Sequence, residues 1–263
     1  MDLGLKGKCA LVAASSSGLG YATALELARE GCKVVVNGRG DERAKRAGYT
    51  IEQETGSMVR AVVGDTGDPA VPQRLVDEAV GFMGGLDLLV TNAGGPPPGG
   101  FESLTEAQWE TGINLSFMSH VRLIHAALPH LKKSDAASVL TMTSWTVKQP
   151  MPNLILSNSV RLATIGLTKS LALELGGDGI RFNSILPAMI DTDRVKRLQE
   201  ARAMNNGTTL DEEKARDAAS SPFGRIGRPD EFAKAAVFLL SPAASYITGL
   251  MLVIDGGQYK GMF

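Results

Sequence analysis

The sequence predicts an α/β protein in three layers, with a parallel sheet of about seven strands doubly wound between two layers of helices. Two observations carry this expectation. Short runs that are apolar at every position, such as ALVAA and LLV, suit strands buried on both faces, as they are inside a parallel sheet. Between those runs lie longer stretches with apolar residues at helical spacing, and strict alternation of the two places crossover helices on both faces. The 263-residue length suits one such unit, so residues 1–263 are expected to form a single domain.

The elements follow in order. Residues 8–14, KCALVAA, read as the first strand, the small-residue turn SSSGLG follows, and YATALELAREG reads as the first helix. Val34 to Val36 give a second strand, residues 41–56 a polar helix ending at Gly56, and MVRAVVGD a third strand. The next helix starts among prolines tolerated in a first turn and ends in glycine, and LDLLVTNAGG is a fourth strand running into a glycine turn. Thr105 and Gln108 form a capping box that opens one long helix through about His130. SVLTMTS is the fifth strand, 153–176 a helix and GIRFNSILPA the sixth strand. Residues 191–221 are polar and interrupted by NNG, which suits a helical excursion outside the sheet and a substrate lid. A helix with Pro229 in its first turn and the strand LMLVIDGG close the pattern.

Composition narrows the partners. With 44% hydrophobic and 21% charged residues and a net charge of −1, the chain has no general attraction for nucleic acid or for an anionic membrane, so a small-molecule partner is expected. Cys9 and Cys32 are too few for a disulfide framework, and no secretory leader or long apolar span stands out, so a reducing, cytoplasmic setting is expected.

Ligands of open parallel sheets bind beyond the carboxyl ends of the strands, so the residues after each strand are the candidates. After the first strand, Gly18 and Gly20 in ASSSGLG open a helix whose free amides and dipole suit a pyrophosphate; tight strand-to-helix packing explains the same glycines. The second strand ends Asn37-Gly38-Arg39. An acidic residue there would hold ribose hydroxyls, whereas an arginine pairs with a 2′-phosphate, so Arg39 favours NADP with NAD possible.

These motifs together resemble the short-chain dehydrogenase/reductase family, a Rossmann-type fold, over essentially the whole chain. The family's Thr-Gly-x-x-x-Gly-x-Gly turn is matched by Ala13 to Gly20, with Ala13 and Ala14 where Thr-Gly is usual, and alanine is small enough for cofactor binding to be expected to survive. The resemblance implies cofactor contacts from Ser15, Ser17, Gly18, Leu19 and Gly20. Thr91-Asn92-Ala93-Gly94 resembles the Asn-Asn-Ala-Gly turn, which assigns Asn92, Ala93 and Gly94 to the cofactor, and Asp65 falls at the adenine-contacting Asp. Pro187, Ile190 and Thr192 fall in the Pro-Gly-x-x-x-Thr segment at the nicotinamide end, with Ala188 for its Gly. Asn114 falls at the catalytic Asn of the helix.

Ser144 matches the family's carbonyl-binding Ser. Thirteen residues on, where the family has its Tyr acid/base, stands Ser157, and four further on Arg161 stands for the Lys. A phenol beside a fixed ammonium cycles a proton near neutral pH; an aliphatic hydroxyl is a far weaker acid, and a guanidinium keeps its proton. Arg161 can still hold a ribose or a developing oxyanion. Lys148, four residues beyond Ser144, is the candidate substitute donor, though a solvated loop lysine reads the same way. Neither Tyr21, Tyr49, Tyr246 nor Tyr259 aligns with the missing phenol. His120, His125 and His130 scatter around their helix and offer no metal-ligand spacing, so no metal is expected.

The resemblance thus implies a 3-oxoacyl-ACP reductase-like member: an NAD(P)-dependent oxidoreductase interconverting a carbonyl and an alcohol by hydride transfer with a non-standard proton donor. It also implies a homo-oligomer, tetramer or dimer, packed through the helices after strands four and five. A dinucleotide-binding protein with little or no dehydrogenase activity, or a non-redox lyase or isomerase on the same site, remains open at this point, because fold does not fix function.

Overall fold

The computed structural model describes residues 1–262. Seven strands form one parallel sheet among them, in the order β3-β2-β1-β4-β5-β6-β7. These are β1 (Cys9–Val12), β2 (Lys33–Gly38), β3 (Val59–Val63), β4 (Leu88–Thr91), β5 (Ser138–Met142), β6 (Arg181–Pro187) and β7 (Met251–Ile254). In register, Val12 lies beside Val36 and Val90. The order reverses between β1 and β4, which opens a crevice at their carboxyl ends.

The apolar runs reflect two cores fed by alternate residues. Leu11, Val35, Leu89 and Val139 point to one side, against α3 (Val71–Met83) and α5 (Ser119–Leu131). Ala10, Val12, Val34, Val36 and Val90 point to the other, against α1 (Gly18–Arg29), α2 (Asp41–Thr55) and α9 (Pro229–Leu240). Side chains alternate faces at a period of two, so a strand covered on both sides must be apolar at every position. Gly56 and Gly84 end α2 and α3 with φ of +68° and +85°, the left-handed terminus that glycine adopts without a Cβ clash. Cys9 and Cys32 are both free and buried, and burial pushes the Cys32 thiol up to about 12.

One expectation needs correction. The long helix opened by Thr105 is not continuous to His130. The capping box with Gln108 is present and starts α4 (Glu106–Ile113), but Asn114–Met118 form a wider π turn before α5 begins. The Thr164 hydroxyl of α6 (Ile155–Glu174) donates to the Ser116 carbonyl at 2.8 Å, so a neighbouring helix serves a carbonyl of the widened turn. A single π turn leaves the apolar periodicity almost intact, which is why sequence pattern does not reveal it.

Residues 191–221 form a hairpin outside the sheet, α7 (Asp193–Asn206) and α8 (Leu210–Ser220), joined through Gly207 at φ +66°. Arg202 of α7 bridges Glu213 and Asp217 of α8, and Gln199 donates to Asp217 at 2.8 Å. The side chains of Glu213 and Asp217 are enclosed, so the hairpin is clipped together by charge rather than by a large apolar seam. Among the described residues no helix is long and apolar enough to cross a membrane, and no group of three His, Cys, Asp or Glu side chains converges to hold a metal.

Candidate active site

The turn after β1 is fixed by one residue of β2. Asn37 accepts from the Ala14 amide at 3.0 Å through its side-chain oxygen, and its carbonyl accepts from the Ser15 amide at 2.7 Å. Its side-chain NH2 donates to the carbonyls of Val62 and Gly64 at 3.0 and 3.1 Å. Ser15, fully buried, donates from Oγ to the Val12 carbonyl and accepts from the Asn37 amide. Its side chain therefore braces the turn. Ser17 is the N-cap of α1 but makes no side-chain capping bond, which leaves first-turn amides available to an anion. Leu19 turns its side chain to the core.

The two glycines answer different constraints. Gly18 has φ +60° and open space beside it, with Thr192 Cγ2 3.8 Å from where a Cβ would sit. Gly20 has no room: a Cβ would lie 2.5 Å from the Ala14 carbonyl oxygen and 2.9 Å from Ser15 Cα. Packing thus requires Gly20, and backbone angle favours glycine at Gly18. Ala14 sits at φ +47°, where an L side chain is strained by roughly 1–2 kcal/mol. Ala14→Gly relieves that strain and returns part of it as unfolded-chain entropy, so a gain of about 0.5–1 kcal/mol is expected. Denaturant titration checks it, and a loss of stability would mean Ala14 is unstrained.

At the end of β2 a Cβ on Gly38 would meet Ser16 Oγ at 2.6 Å. Arg39 is exposed and its guanidinium lies 3.6 Å from Asp65, which also accepts from the Gly67 amide at 2.9 Å. The structure therefore brings Arg39 and Asp65 to one rim. Beyond β4, Asn92 donates to the Ala14 carbonyl at 3.1 Å, tying its loop to the glycine turn, with Ala93 buried and Gly94 facing Leu115. Pro187 ends β6. Ile190 is buried with its side chain against Gly227, so only its backbone can reach a ligand. Thr192 caps α7, accepting from the Val195 amide at 3.4 Å, and its methyl faces Gly18.

Ser144, Ser157 and Arg161 meet beyond β5. Ser144 Oγ accepts from the Thr146 amide at 3.3 Å, and Thr146 Oγ1 lies 3.1 Å from Ser157 Oγ, so Thr146 links the two serines. Arg161 follows Ser157 by one turn of α6 and is 6% exposed. Its Nη1 donates to the carbonyls of Thr143 at 3.0 Å and Met142 at 3.4 Å, while Nε has no partner among the described residues. Burial first, then the charge of Arg194, lowers Arg161 to about 10. Asn114 accepts from Arg122 at 3.1 Å and sits in the π turn packed on α6. Lys148 stands apart from this group: its ammonium lies over the ring of Tyr259, 5.4 Å from the centroid. Tyr259, excluded by sequence register, thus reaches the loop from the chain's far end.

Four residues at the site had no signal of their own in the sequence. Asn37 and Thr146 act through tertiary hydrogen bonds, and Arg194 is one of several charges on a polar helix. His120 reads as one of three scattered histidines. Its Nδ1 lies 2.7 Å from Thr91 Oγ1, and burial with the Arg161 charge lowers it to about 3, so the imidazole is neutral. A groove of about 460 Å³ between Tyr21, Leu25 and Pro229 touches these residues only at Gly18 and Thr192, on the outer side of α1.

The sheet order and the crevice at β1 and β4 define a Rossmann-type α/β protein. Residues 13–258 match the family model described as enoyl-(acyl carrier protein) reductase, and the chain belongs to the short-chain dehydrogenase/reductase family. It is 35% identical over 255 residues to dehydrogenase/reductase SDR family member 4 of Bos taurus, covering 97% of this chain and 88% of the relative. The structure of L-sorbose reductase from Gluconobacter frateurii, complexed with NADPH and L-sorbose, superposes with a TM-score of 0.95 at 29% identity over the full length of both chains. An NADPH-bound short-chain oxidoreductase from Pseudomonas aeruginosa PAO1, described as containing an atypical catalytic center, has a TM-score of 0.88 at 28% identity, covering 97% of this chain and 98% of that one.

Proposed function

We propose that this chain is an NADP-preferring oxidoreductase that interconverts a carbonyl and an alcohol, with Ser157 and Arg161 standing where the family has Tyr and Lys. The observation that carries the reading is the placement of Ser144, Ser157 and Arg161 beyond β5, in the same crevice as the uncapped amides of α1. Those amides and Gly18 fit a pyrophosphate, Asn92 to Gly94 and Thr192 flank it, and Arg39, which lies 3.6 Å from Asp65 and has no acidic side chain before it at Gly38, fits a 2′-phosphate. When bound, the nicotinamide supplies or accepts the hydride. The Ser144 oxygen accepts from a backbone amide and is free to donate its own proton to a carbonyl oxygen. Arg161 stabilises negative charge growing on that oxygen. Ser157 and Thr146 pass a proton along a hydroxyl pair, through water held near Asn114, and Lys148 at the rim is the ionisable donor that replenishes it.

Burial of Ser157 and the backbone ties of Arg161 also support a second reading, a dinucleotide-binding protein with little or no dehydrogenase activity. The α7–α8 hairpin is proposed as the substrate lid of a single domain, and Leu162 and Leu173, exposed on α6, as part of a contact between copies in a homo-oligomer.

Cofactor titration and NADPH oxidation over ketones, quinones and oxoacyl thioesters test the function. Tight NADPH binding with no turnover on any carbonyl rejects it in favour of the second reading. In the same assay Ser157→Tyr with Arg161→Lys is expected to raise carbonyl reduction by roughly 100- to 10,000-fold, the contribution of a positioned acid. Normal cofactor binding by the double variant with no gain in reduction would show that more than the acid has changed. Arg39→Asp is expected to shift preference from NADPH toward NADH by roughly 10- to 100-fold, through loss of a charge-assisted pair. Unchanged preference in the ratio of dissociation constants would reject the role of Arg39.

A further inference from the structure

We propose that the C-terminal segment is part of the active site: residues 255–262 strap the end of the α7–α8 hairpin to the loop after β5, and the ring of Tyr259 positions the Lys148 ammonium there. This rests on the oxidoreductase reading above, in which Lys148 replenishes the proton and the hairpin is the lid, and it names what holds the two together.

The segment is built to turn back on the hairpin. Leaving β7, the chain passes through Gly256 and Gly257 at φ +62° and +83°, the left-handed region open to glycine. The Asp255 carboxylate closes the turn by accepting from the amides of Gly257 at 2.9 Å and Tyr259 at 2.8 Å. The turn is pressed against the end of α8: a Cβ on Gly256 would meet Ser221 Oγ at 2.7 Å, and one on Gly257 would meet Pro222 Cγ at 3.2 Å. Ser221 Oγ donates to the Gly256 carbonyl at 3.1 Å, and Gln258, buried, donates from its side chain to Ser220 Oγ at 2.9 Å. The next residue, Tyr259, meets the loop after β5, with Lys148 Nζ 5.4 Å from its ring centroid. Two neighbours in the chain thus grip two segments that are distant in sequence. A methyl on Gly261 would overlap the phenol oxygen, so the hydroxyl lies back against the segment itself and the ring carries the contact with Lys148.

The grip on Lys148 bears on chemistry because of what precedes that residue. Ser144 and Lys148 bracket the single turn Trp145–Val147: Ser144 Oγ accepts from the Thr146 amide, and the Lys148 amide donates to the Trp145 carbonyl at 2.9 Å. Thr146 in turn touches Ser157. No carboxylate pairs with Lys148 among the described residues, so the ring is what restrains this long, flexible side chain. An aromatic face attracts an ammonium but accepts no proton from it, so Lys148 is held in place with its proton available. Because Gln258 and Tyr259 are adjacent, a displacement at the end of the lid reaches Lys148 through one peptide.

Hydrogen–deuterium exchange of the full-length protein with NADPH reads the strap without turnover. Tyr259→Leu is expected to speed exchange about 2- to 5-fold in residues 145–151 and also in residues 215–223, and to speed acylation of Lys148 by acetic anhydride by a similar factor, the strength of one exposed cation–π contact. Gln258→Ala, which removes the bond to Ser220 and leaves the ring in place, should loosen the same two segments. Tyr259→Phe keeps the ring and should match the parent in every measurement. On any carbonyl that the parent reduces, Tyr259→Leu should lower kcat about 2- to 5-fold while the NADPH dissociation constant stays within about twofold, and should add nothing in a Lys148→Met background. Unchanged exchange and acylation in Tyr259→Leu, loosening confined to one of the two segments, or a Tyr259→Phe variant as impaired as Tyr259→Leu overturns the proposal. So does an unchanged kcat in an enzyme whose Lys148 has been loosened. A parent that reduces no carbonyl rejects the oxidoreductase reading instead, and the exchange measurements then decide the strap alone.

Discussion

Arg161→Met is expected to make the protein more stable and inactive at once. Arg161 is almost fully enclosed without a carboxylate partner, and its lowering to about 10 corresponds to about 3 kcal/mol of disfavoured charge. Because the folded state lowers this base, the charged side chain subtracts stability at every pH below about 10, the whole working range. Against this stand the hydrogen bonds to Thr143 and Met142, one of them long at 3.4 Å, together about 1–2 kcal/mol. Met fills the space of the stem, so the balance favours the variant by about 1–2 kcal/mol and a melting temperature roughly 3–6 °C higher. Turnover should fall to background, because the variant removes the buried positive charge that the proposed mechanism sets at the oxyanion. Calorimetry and NADPH oxidation read the two effects separately. A melting point several degrees lower would mean the guanidinium holds the fold, and unchanged turnover would remove Arg161 from the chemistry.

Gly20→Ala is expected to cost both fold and cofactor. The new methyl would press on the Ala14 carbonyl and on Ser15 Cα, backbone atoms of a turn held from three sides, and neither can retreat cheaply. Overpacking of this kind costs about 1–3 kcal/mol, which lowers the melting temperature by roughly 3–10 °C. The helix must shift to make room, and its first-turn amides move with it, so NADPH affinity should drop at least about tenfold, the equivalent of 1.4 kcal/mol. An alanine variant with parental melting point and parental NADPH affinity would contradict the packing account.

The order of elements was readable because each strand feeds two cores and must be apolar throughout, as Ala10, Leu11 and Val12 show. Helix ends at Gly56, Gly84 and Thr105 were readable because their signals are local. The π turn at Asn114 was not, since one widened turn hardly disturbs the pattern. At the site, spacing alone brought Ser144, Ser157 and Arg161 into one register, and their roles remain proposals. Spacing was silent on what holds them. Thr146 between the serines, Arg194 over Gly95 and Tyr259 beside Lys148 come from distant segments whose meeting is a property of the folded chain. The two readings of the glycine turn also proved compatible: Gly20 answers to packing, while the open N-terminus beside Gly18 remains available to a ligand.

Asn37 has a wider consequence. By binding the glycine turn with its side-chain oxygen and the β3 loop with its NH2, it sets the loops of the dinucleotide half before any ligand arrives. The entropy of ordering those loops is then lost during folding and not again at association. The end of β5 differs: Arg161 is enclosed there with its Nε unpartnered among the described residues. One half of the cleft is thus set in advance by hydrogen bonds, while the other encloses a charge whose hydrogen-bonding capacity is not filled.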